Sequence, residues 1–427
     1  MKLKLITVLA LLAMLVGLAA CDSENGRSEN RAYLENFEVV WQTVNDTYFD
    51  PTFGGLDWDE VHDRYRPLIA STESGEEFYR IMNEMLFELS VSHLAVAPAD
   101  QLAPGLSVEG SIGIDVRLLG DDAVITSVQP GSPGSEAGLQ PGFVIQSIDG
   151  VSIEEIRSSA FLTPPFNSRN ESLDIIHGMM GRLNGPPGTT VSITYLDERG
   201  EAHEQRIERA QRSGDVVSPG GGLPPFFIDF EATRLAGNIG YMRFNAFIPP
   251  VDEKFTDAIE SMGDAAGLII DIRGNDGGVW PVRKLLAERL VNERVLAWRY
   301  RSRDDSRDVY LDPAETVYDG PVVVLIDGAS VSSAEEFAGA LQAIHRAVIV
   351  GERSPGRVLV IDLMELPNGA IFLYPIEQTM TPDGTVLEGH GVVPDIPVGL
   401  DRDLLLQGVD SQLEAAIEYI ERGQPRD

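Results

Sequence analysis

The chain has 427 residues, long enough for two or three domains with sizeable cores. Its formal net charge of −34 argues against nucleic acid or anionic lipid headgroups as partners of the folded part, and fits solubility in a charged or salty milieu. A single cysteine, Cys21, leaves no intrachain disulfide and no cysteine-based metal site.

Residues 1–21, MKLKLITVLALLAMLVGLAAC, combine a short basic start (Lys2, Lys4), an apolar stretch and small residues before Cys21. This is the pattern of a secretory signal. Leu18-Ala19-Ala20-Cys21 resembles the lipobox of bacterial lipoproteins, which implies lipidation at Cys21, a membrane held through that lipid anchor, and a body facing the periplasm or cell exterior. An uncleaved N-terminal anchor is the alternative. No later segment is long and apolar enough to span a bilayer. Residues 22–30 read as a polar tether.

A helical unit is expected over 31–104. Phe37, Val40, Trp41 and Val44 recur at helical spacing, and further helical patterns run from Trp58 to Ile69 and from Glu76 to Leu89. The last leads into the extended segment Ser90-Val91-Ser92-His93-Leu94-Ala95-Val96. Short strands and turns follow over 105–213: Ser111 to Val116, Ala123 to Val128, the run GSPGSEAGLQPGFVIQSIDG (131–150), a loop from Thr163 to Asn170, a helix near Ser172 to Leu183, and Thr190 to Tyr195 after a Gly-Pro-Pro-Gly turn. This region resembles a circularly permuted bacterial PDZ domain. By that likeness the backbone N–H groups of Ile112, Gly113 and Ile114 would hold a peptide's terminal carboxylate, the peptide adding as a strand. A domain kept for packing or gating is the competing reading.

Residues 214–225 form a Gly/Pro-rich linker, and an α/β core is expected over 226–427. Ile239 to Arg243 reads as a strand, Val251 to Ser261 as a helix and Gly267 to Ile272 as a buried strand. The turn Arg273-Gly274-Asn275-Asp276-Gly277-Gly278 then leads into a helix reaching Val291. Strands alternating with helices predict a mostly parallel sheet with crossovers, with ligands beyond the carboxyl ends of its strands. A buried strand, Val322 to Ile326, then meets Asp327-Gly328 and the serines Ser330, Ser332 and Ser333, ahead of a helix from Ala334 to Ile344 and a strand from Ala347 to Val350. A serine between strand and helix lies near unpaired backbone N–H groups, where acyl transfer wants its nucleophile. Ser332-x-x-Glu335 is also a capping box, which would make Ser332 no more than a helix cap.

A serine nucleophile needs a base. Lys254 and Lys284 both precede the serines, and Arg357 stays charged at any relevant pH. Histidine remains, in six places: His62, His93, His177, His203, His345 and His390. His62 lies on an amphipathic helix, His177 and His203 in the PDZ-like region, and His345 a helix length from Ser332. His93 and His390 stay open.

Three segments together resemble the serine peptidase family of the C-terminal processing peptidases and the tricorn core protease. They are Asp271-Ile272-Arg273-Gly274-Asn275-Asp276-Gly277-Gly278, Gly328 to Glu335, and Glu388-Gly389-His390-Gly391-Val392-Val393-Pro394-Asp395-Ile396. The resemblance implies a crotonase-like α/β core with Ser332 at the nucleophile position. In the Ser-Lys branch a Gly-Lys pair carries the base; here Gly356-Arg357 stands in that segment. The tricorn branch instead uses a Ser-His pair and a glutamate, which Ser92-His93 and Glu388 match, although Val91 and Leu94 depart from its usual Asp and Thr. The likeness thus implies attack by Ser332 with His93 as base, Ser92 and Glu388 orienting and polarising, and an oxyanion site at Ser333 N–H with that of Gly277 or Gly278. The expected function is an extracytoplasmic serine endopeptidase acting on peptides or unfolded protein tails. The alternative is a catalytically degenerate relative that binds peptides or hydrophobic ligands. No cofactor and no metal site are expected, since no His/Asp/Glu cluster stands at ligand spacing.

Overall fold

A computed structural model describes residues 30–98, 109–160, 170–218 and 225–423. The expected signal segment, Cys21, all but the last residue of the tether, and nearly all of the loop from Thr163 to Asn170 lie outside the described residues.

The central sheet is built from apolar runs that want both faces covered. Its strands lie in the order Phe230–Leu235, Ile239–Phe244, Gly267–Asp271, Val322–Ile326, Val348–Gly351, Ile396–Pro397. The first pair is antiparallel and the rest are parallel, as the alternation of strands and helices predicts. Side chains alternate between faces. Leu268, Ile270, Val322, Val324 and Ile326 pack with the helices Val251–Ser261, Trp280–Glu288 and Ser333–Ala343. Ile269, Val323, Leu325 and Val350 face the opposite way, onto Ala416 and Ile420 of the helix Ser411–Arg422. The register pairs Asp271 with Leu325. The turns that follow these two strands therefore emerge side by side at one edge of the sheet.

A second, antiparallel sheet joins the two ends of the chain. Ala95–Ala97 pairs with Ile371–Met380, with Ala95 opposite Leu373. The helices at 30–47, Trp58–Ala70 and Gly75–Phe87 share one hydrophobic core with Leu359, Leu366, Ala370, Phe372 and Tyr374. His93, two residues before the pairing begins, is thereby held at a fixed place against the α/β core.

The PDZ domain is a five-strand path, Ile114–Leu119, Asp122–Val128, Val144–Ile148, Thr190–Leu196 and Ala202–Glu208, with the helix Glu171–Leu183 against its first strand. The strand expected from Ser111 to Val116 is broken at Gly113, whose φ is 74°; a Cβ there would sit 2.3 Å from Ser132 Cβ. The stretch expected as a linker is partly paired, Asp215–Val217 running antiparallel to Phe226–Ile228. The domain docks on the turn from Asp327 to Ser333. Arg117 Nε donates to Asp327 Oδ2 at 2.7 Å, Arg243 Nη2 donates to Asp115 Oδ2 at 2.7 Å, and Ala329 and Val331 join the PDZ core.

Beneath the helix Ser333–Ala343, Arg283 forms a buried ion pair with Glu336, donates to Tyr300 Oη at 2.6 Å and lies over the Trp298 ring. Its side chain is 2% exposed. Removing one partner strands the other's charge in a low-dielectric core. Arg283→Ala is expected to destabilise the fold by about 3–5 kcal/mol, seen as a lower urea midpoint; an unchanged midpoint would contradict the pairing.

Candidate active site

The two turns at the sheet edge are fastened by polar groups that leave one serine over. Asp327 Oδ1 accepts from Gly274 N–H at 2.9 Å and from Ala329 N–H at 3.0 Å, bridging the turns. Ser330 is fully buried and donates to Ile272 O at 2.8 Å. Ser333 Oγ donates to Gly278 O at 2.8 Å. Ser332, between them, is half-buried, with φ 57° and ψ −119°. An L-residue held there costs about 1–3 kcal/mol and is the strain expected at a functional position. Ser332 N–H donates to Arg357 O at 2.8 Å and to Glu335 Oε2 at 3.2 Å. Ser332 is the N-cap of its helix, so the capping expectation and the nucleophile expectation fall on one residue. Its backbone is not the extended one usual for a cap.

Gly277 must be glycine for packing reasons: its φ is 84°, and a Cβ would lie 2.6 Å from Ser332 Cβ. Its N–H is already given to Asn275 Oδ1 at 2.9 Å. Gly278 N–H has no hydrogen-bond acceptor among the described residues, and Ser333 N–H opens the following helix, where amides lack intrahelical partners.

The histidine arm comes from far away in sequence. Glu388 Oε1 accepts from Ser92 N–H at 2.7 Å; Oε2 accepts from Ser92 Oγ–H at 3.0 Å and from Val358 N–H at 3.0 Å. Ser92 Oγ lies 2.8 Å from His93 Nδ1. With Ser92 donating to the carboxylate, its oxygen accepts Nδ1–H, leaving Nε2 as the unprotonated nitrogen. His93 itself has φ 56°. Because Val358 follows Arg357, whose carbonyl holds Ser332 N–H, adjacent residues of one segment connect the Ser332 turn to the Ser92-Glu388 arm. Ser332 Oγ and His93 make no hydrogen bond to each other.

The other histidines are engaged elsewhere. His62 contacts Glu38, His203 contacts Asp197, and His177 faces Asp276 at 3.6 Å. His390 is exposed, its Nδ1 3.0 Å from Glu388 O. Asp197, Glu201 and His203 come within 4.8 Å of one another, a cluster that the sequence spacing did not suggest. Asp197 is spent there on His203 Nε2 and on the N–H groups of Arg199 and Glu201, which closes a hairpin turn. In the PDZ domain, Gly113 N–H donates to Ser111 Oγ at 3.0 Å, Ile112 O accepts from Gly134 N–H, and Ile114 pairs with Val128.

Glu335 was visible in the sequence only as a possible cap partner. It is completely buried, and its carboxylate accepts from Ser332 N–H, Ser354 Oγ–H, Gly356 N–H and Arg357 N–H. It fixes the 354–357 segment beside the nucleophile. A glutamate in the first helical turn gives no hint of such long-range bonds.

A strained serine at the end of parallel strands, two amides without acceptors beside it and a hydrogen-bonded Ser-His-Glu group are the parts a serine hydrolase uses. Residues 238–398 match the peptidase family S41, residues 30–87 the tricorn protease C1 domain and residues 124–160 a PDZ domain. A carboxyl-terminal-processing protease of Synechocystis sp. is 27% identical over 397 residues, 90% of this chain and 86% of that one. The chloroplastic carboxyl-terminal-processing peptidase 2 of Arabidopsis thaliana is 27% identical over 393 residues, 87% of this chain and 69% of that one. Among solved structures, the photosystem II D1 C-terminal processing protease superposes with a TM-score of 0.57 at 23% identity, covering 88% of this chain and 97% of that one. The tricorn protease superposes with 0.51 at 20% identity, covering 92% of this chain and 37% of that one. These two likenesses speak for the fold. Over residues 238–398 the chain is similar to the S41 family of serine peptidases, and together with these relatives that likeness indicates a serine peptidase.

Strain at Ser332 predicts a trade between stability and chemistry. Glycine adopts φ 57° without penalty, so Ser332→Gly should raise unfolding free energy by about 1 kcal/mol while abolishing hydrolysis. A loss of stability in that variant would mean that the turn is unstrained.

Two site groups titrate in opposite senses. Burial, then the charge of Arg357, push the His93 imidazole down to about 3. The unfolded imidazole titrates at about 6.5, so the unfolded chain takes up that proton first and this contribution to stability is lost as pH falls through the window between. Burial pushes the Glu335 carboxyl up from 4.5 to about 7 against its four hydrogen-bond donors. The folded state keeps that proton longer, so the Glu335 contribution is present at low pH and lost as pH rises from 4.5 to about 7. Glu335→Gln should therefore make the urea midpoint climb more steeply between pH 4.5 and 7 than in the wild type; parallel curves would contradict the assignment.

Proposed function

We propose that the protein is an extracytoplasmic, lipid-anchored serine endopeptidase that cleaves peptides or unfolded protein tails. The observation that carries the reading is the relay His93 Nδ1–Ser92 Oγ–Glu388 Oε2, tied through Val358 N–H to the residue next to Arg357, whose carbonyl holds the strained Ser332. In this mechanism Ser332 Oγ attacks the peptide carbonyl as its proton passes to His93 Nε2. The imidazolium keeps its Nδ1–H on Ser92 Oγ, and Ser92 stays bonded to the Glu388 carboxylate, which spreads the new charge. The oxyanion is received by Ser333 N–H and Gly278 N–H, since Gly277 N–H is committed to Asn275. The amine leaves with the proton from His93, and water, deprotonated by the same imidazole, releases the acyl group from Ser332.

The anchor and location rest on the leader before Cys21. No helix among the described residues is long and apolar enough to cross a membrane. The PDZ domain would present the peptide, adding it to the open edge of Ile114–Leu119 beside the helix Glu171–Leu183, with the amides of Ile112 and Ile114 nearest the terminal carboxylate. Since Arg117 and the apolar pair Ala329 and Val331 join that domain to the nucleophile turn, peptide binding there and alignment of Ser332 are mechanically linked.

A fluorophosphonate probe and an unstructured peptide test the assignment together. Ser332→Ala should lose both labelling and cleavage, and His93→Ala should slow both by about 10²–10⁴-fold. Labelling that survives His93→Ala undiminished would remove His93 as the base.

A further inference from the structure

Arg357 stands where the Ser-Lys relatives carry their base, and its environment gives it a different use. Its Nε is buried without a hydrogen-bond partner, and its guanidinium forms no hydrogen bond or ion pair with any described residue. Other arginines at the core are matched: Arg117 by Asp327, Arg273 by Asp271 and Asp410, Arg283 by Glu336. A desolvated, unpaired guanidinium is unfavourable. Four carboxylates, those of Asp174, Glu388, Glu335 and Asp276, lie near enough to act on it electrostatically, yet none pairs with it. The oxygens of Glu388 and Glu335 are already spent on Ser92, Val358, Ser332, Ser354, Gly356 and Arg357 N–H. The backbone of Arg357 meanwhile holds Ser332 N–H through its carbonyl, so the side chain springs from the wall of the reaction site.

Building on the peptidase reading, we propose that Arg357 binds a carboxylate of the substrate beside the scissile bond. A planar guanidinium held open in this way is the natural receptor for a carboxylate, taken through two parallel N–H···O bonds. That carboxylate belongs either to the C-terminus of the chain being trimmed or to an Asp or Glu side chain next to the cleaved bond. Occupancy has a second effect. Because Arg357 holds down the basicity of His93, a bound carboxylate offsets its charge and makes the imidazole a better proton acceptor once substrate is present. Recognition and activation are then one event.

The test uses the whole mature chain and one unstructured peptide in four forms: a free or amidated C-terminus, and Glu or Gln beside the mapped cleavage site. Wild type should cleave the form bearing the recognised carboxylate about 10–100-fold better in kcat/KM than its neutral counterpart, the range for a lost charged hydrogen-bond pair. Arg357→Gln should erase that preference by slowing only the carboxylate form. Acid against amide identifies the terminus as the source, and Glu against Gln identifies the side chain. Indifference of the wild type to both substitutions, or a preference that persists in Arg357→Gln, overturns the proposal. Anisotropy of the same labelled peptides on Ser332→Ala, with and without Arg357→Gln, reads the preference in binding alone. A preference there that depends on Arg357, with no cleavage by the wild type, would sustain the carboxylate site while removing the peptidase mechanism.

Discussion

Three hydrogen bonds to one carboxylate hold the site together. Glu388 takes the N–H and the hydroxyl of Ser92 with the N–H of Val358, and so ties the end of the helical unit, the segment beside Ser332 and the closing segment at one point. Ser92 is 296 positions from Glu388 in the chain. Bringing such segments together is costly in chain entropy, and pairing of Ala95–Ala97 with Ile371–Met380 supplies the framework that offsets it. Without the shared core around Phe37, Phe78 and Phe372, the histidine would have no fixed address.

The carboxylates around the site divide their work. Asp327 clamps two turns and receives Arg117 from the PDZ domain; Glu335 binds the 354–357 segment to Ser332; Glu336 neutralises Arg283 under the helix. Each is buried, and each has its oxygens engaged by N–H or O–H donors or by a guanidinium. That arrangement lets an acidic protein keep several carboxylates within a small volume without mutual repulsion dominating. It also leaves Arg357, whose guanidinium pairs with no side chain among the described residues, as a charge next to the Ser332 turn.

Local pattern carried the elements a long way. The helix Val251–Ser261 and the strand Val322–Ile326 occur over the residues that periodicity marks, and Trp58–Ala70 and Glu171–Leu183 differ from it by a residue at an end. The run from Ser111 to Val116 is interrupted at Gly113, whose φ of 74° suits glycine and where a Cβ would meet Ser132. The linker concealed a strand, Asp215–Val217, whose partner lies beyond the Gly/Pro run. Of the site, the serine turn and the glycine turn could be read as sequence segments, whereas choosing His93 over His390 needed the resemblance to a family.

By itself the sequence determined the order of a helical unit, a strand-and-turn region and a parallel α/β core, because periodicity, turn residues and buried runs are properties of neighbouring residues; that the middle region is a PDZ domain came from its resemblance to that family. It also determined that Arg357 is no base, since a guanidinium does not give up its proton. Tertiary structure alone decided which hydroxyl is left over among three serines, which glycine N–H is unspent, and that Glu335 is a buried clamp. The serine outcomes depend on acceptors supplied by Gly278, Ile272 and Arg357, tens of residues away, and such bonds follow the packing of the chain and have no local code; only the Asn275–Gly277 bond is local.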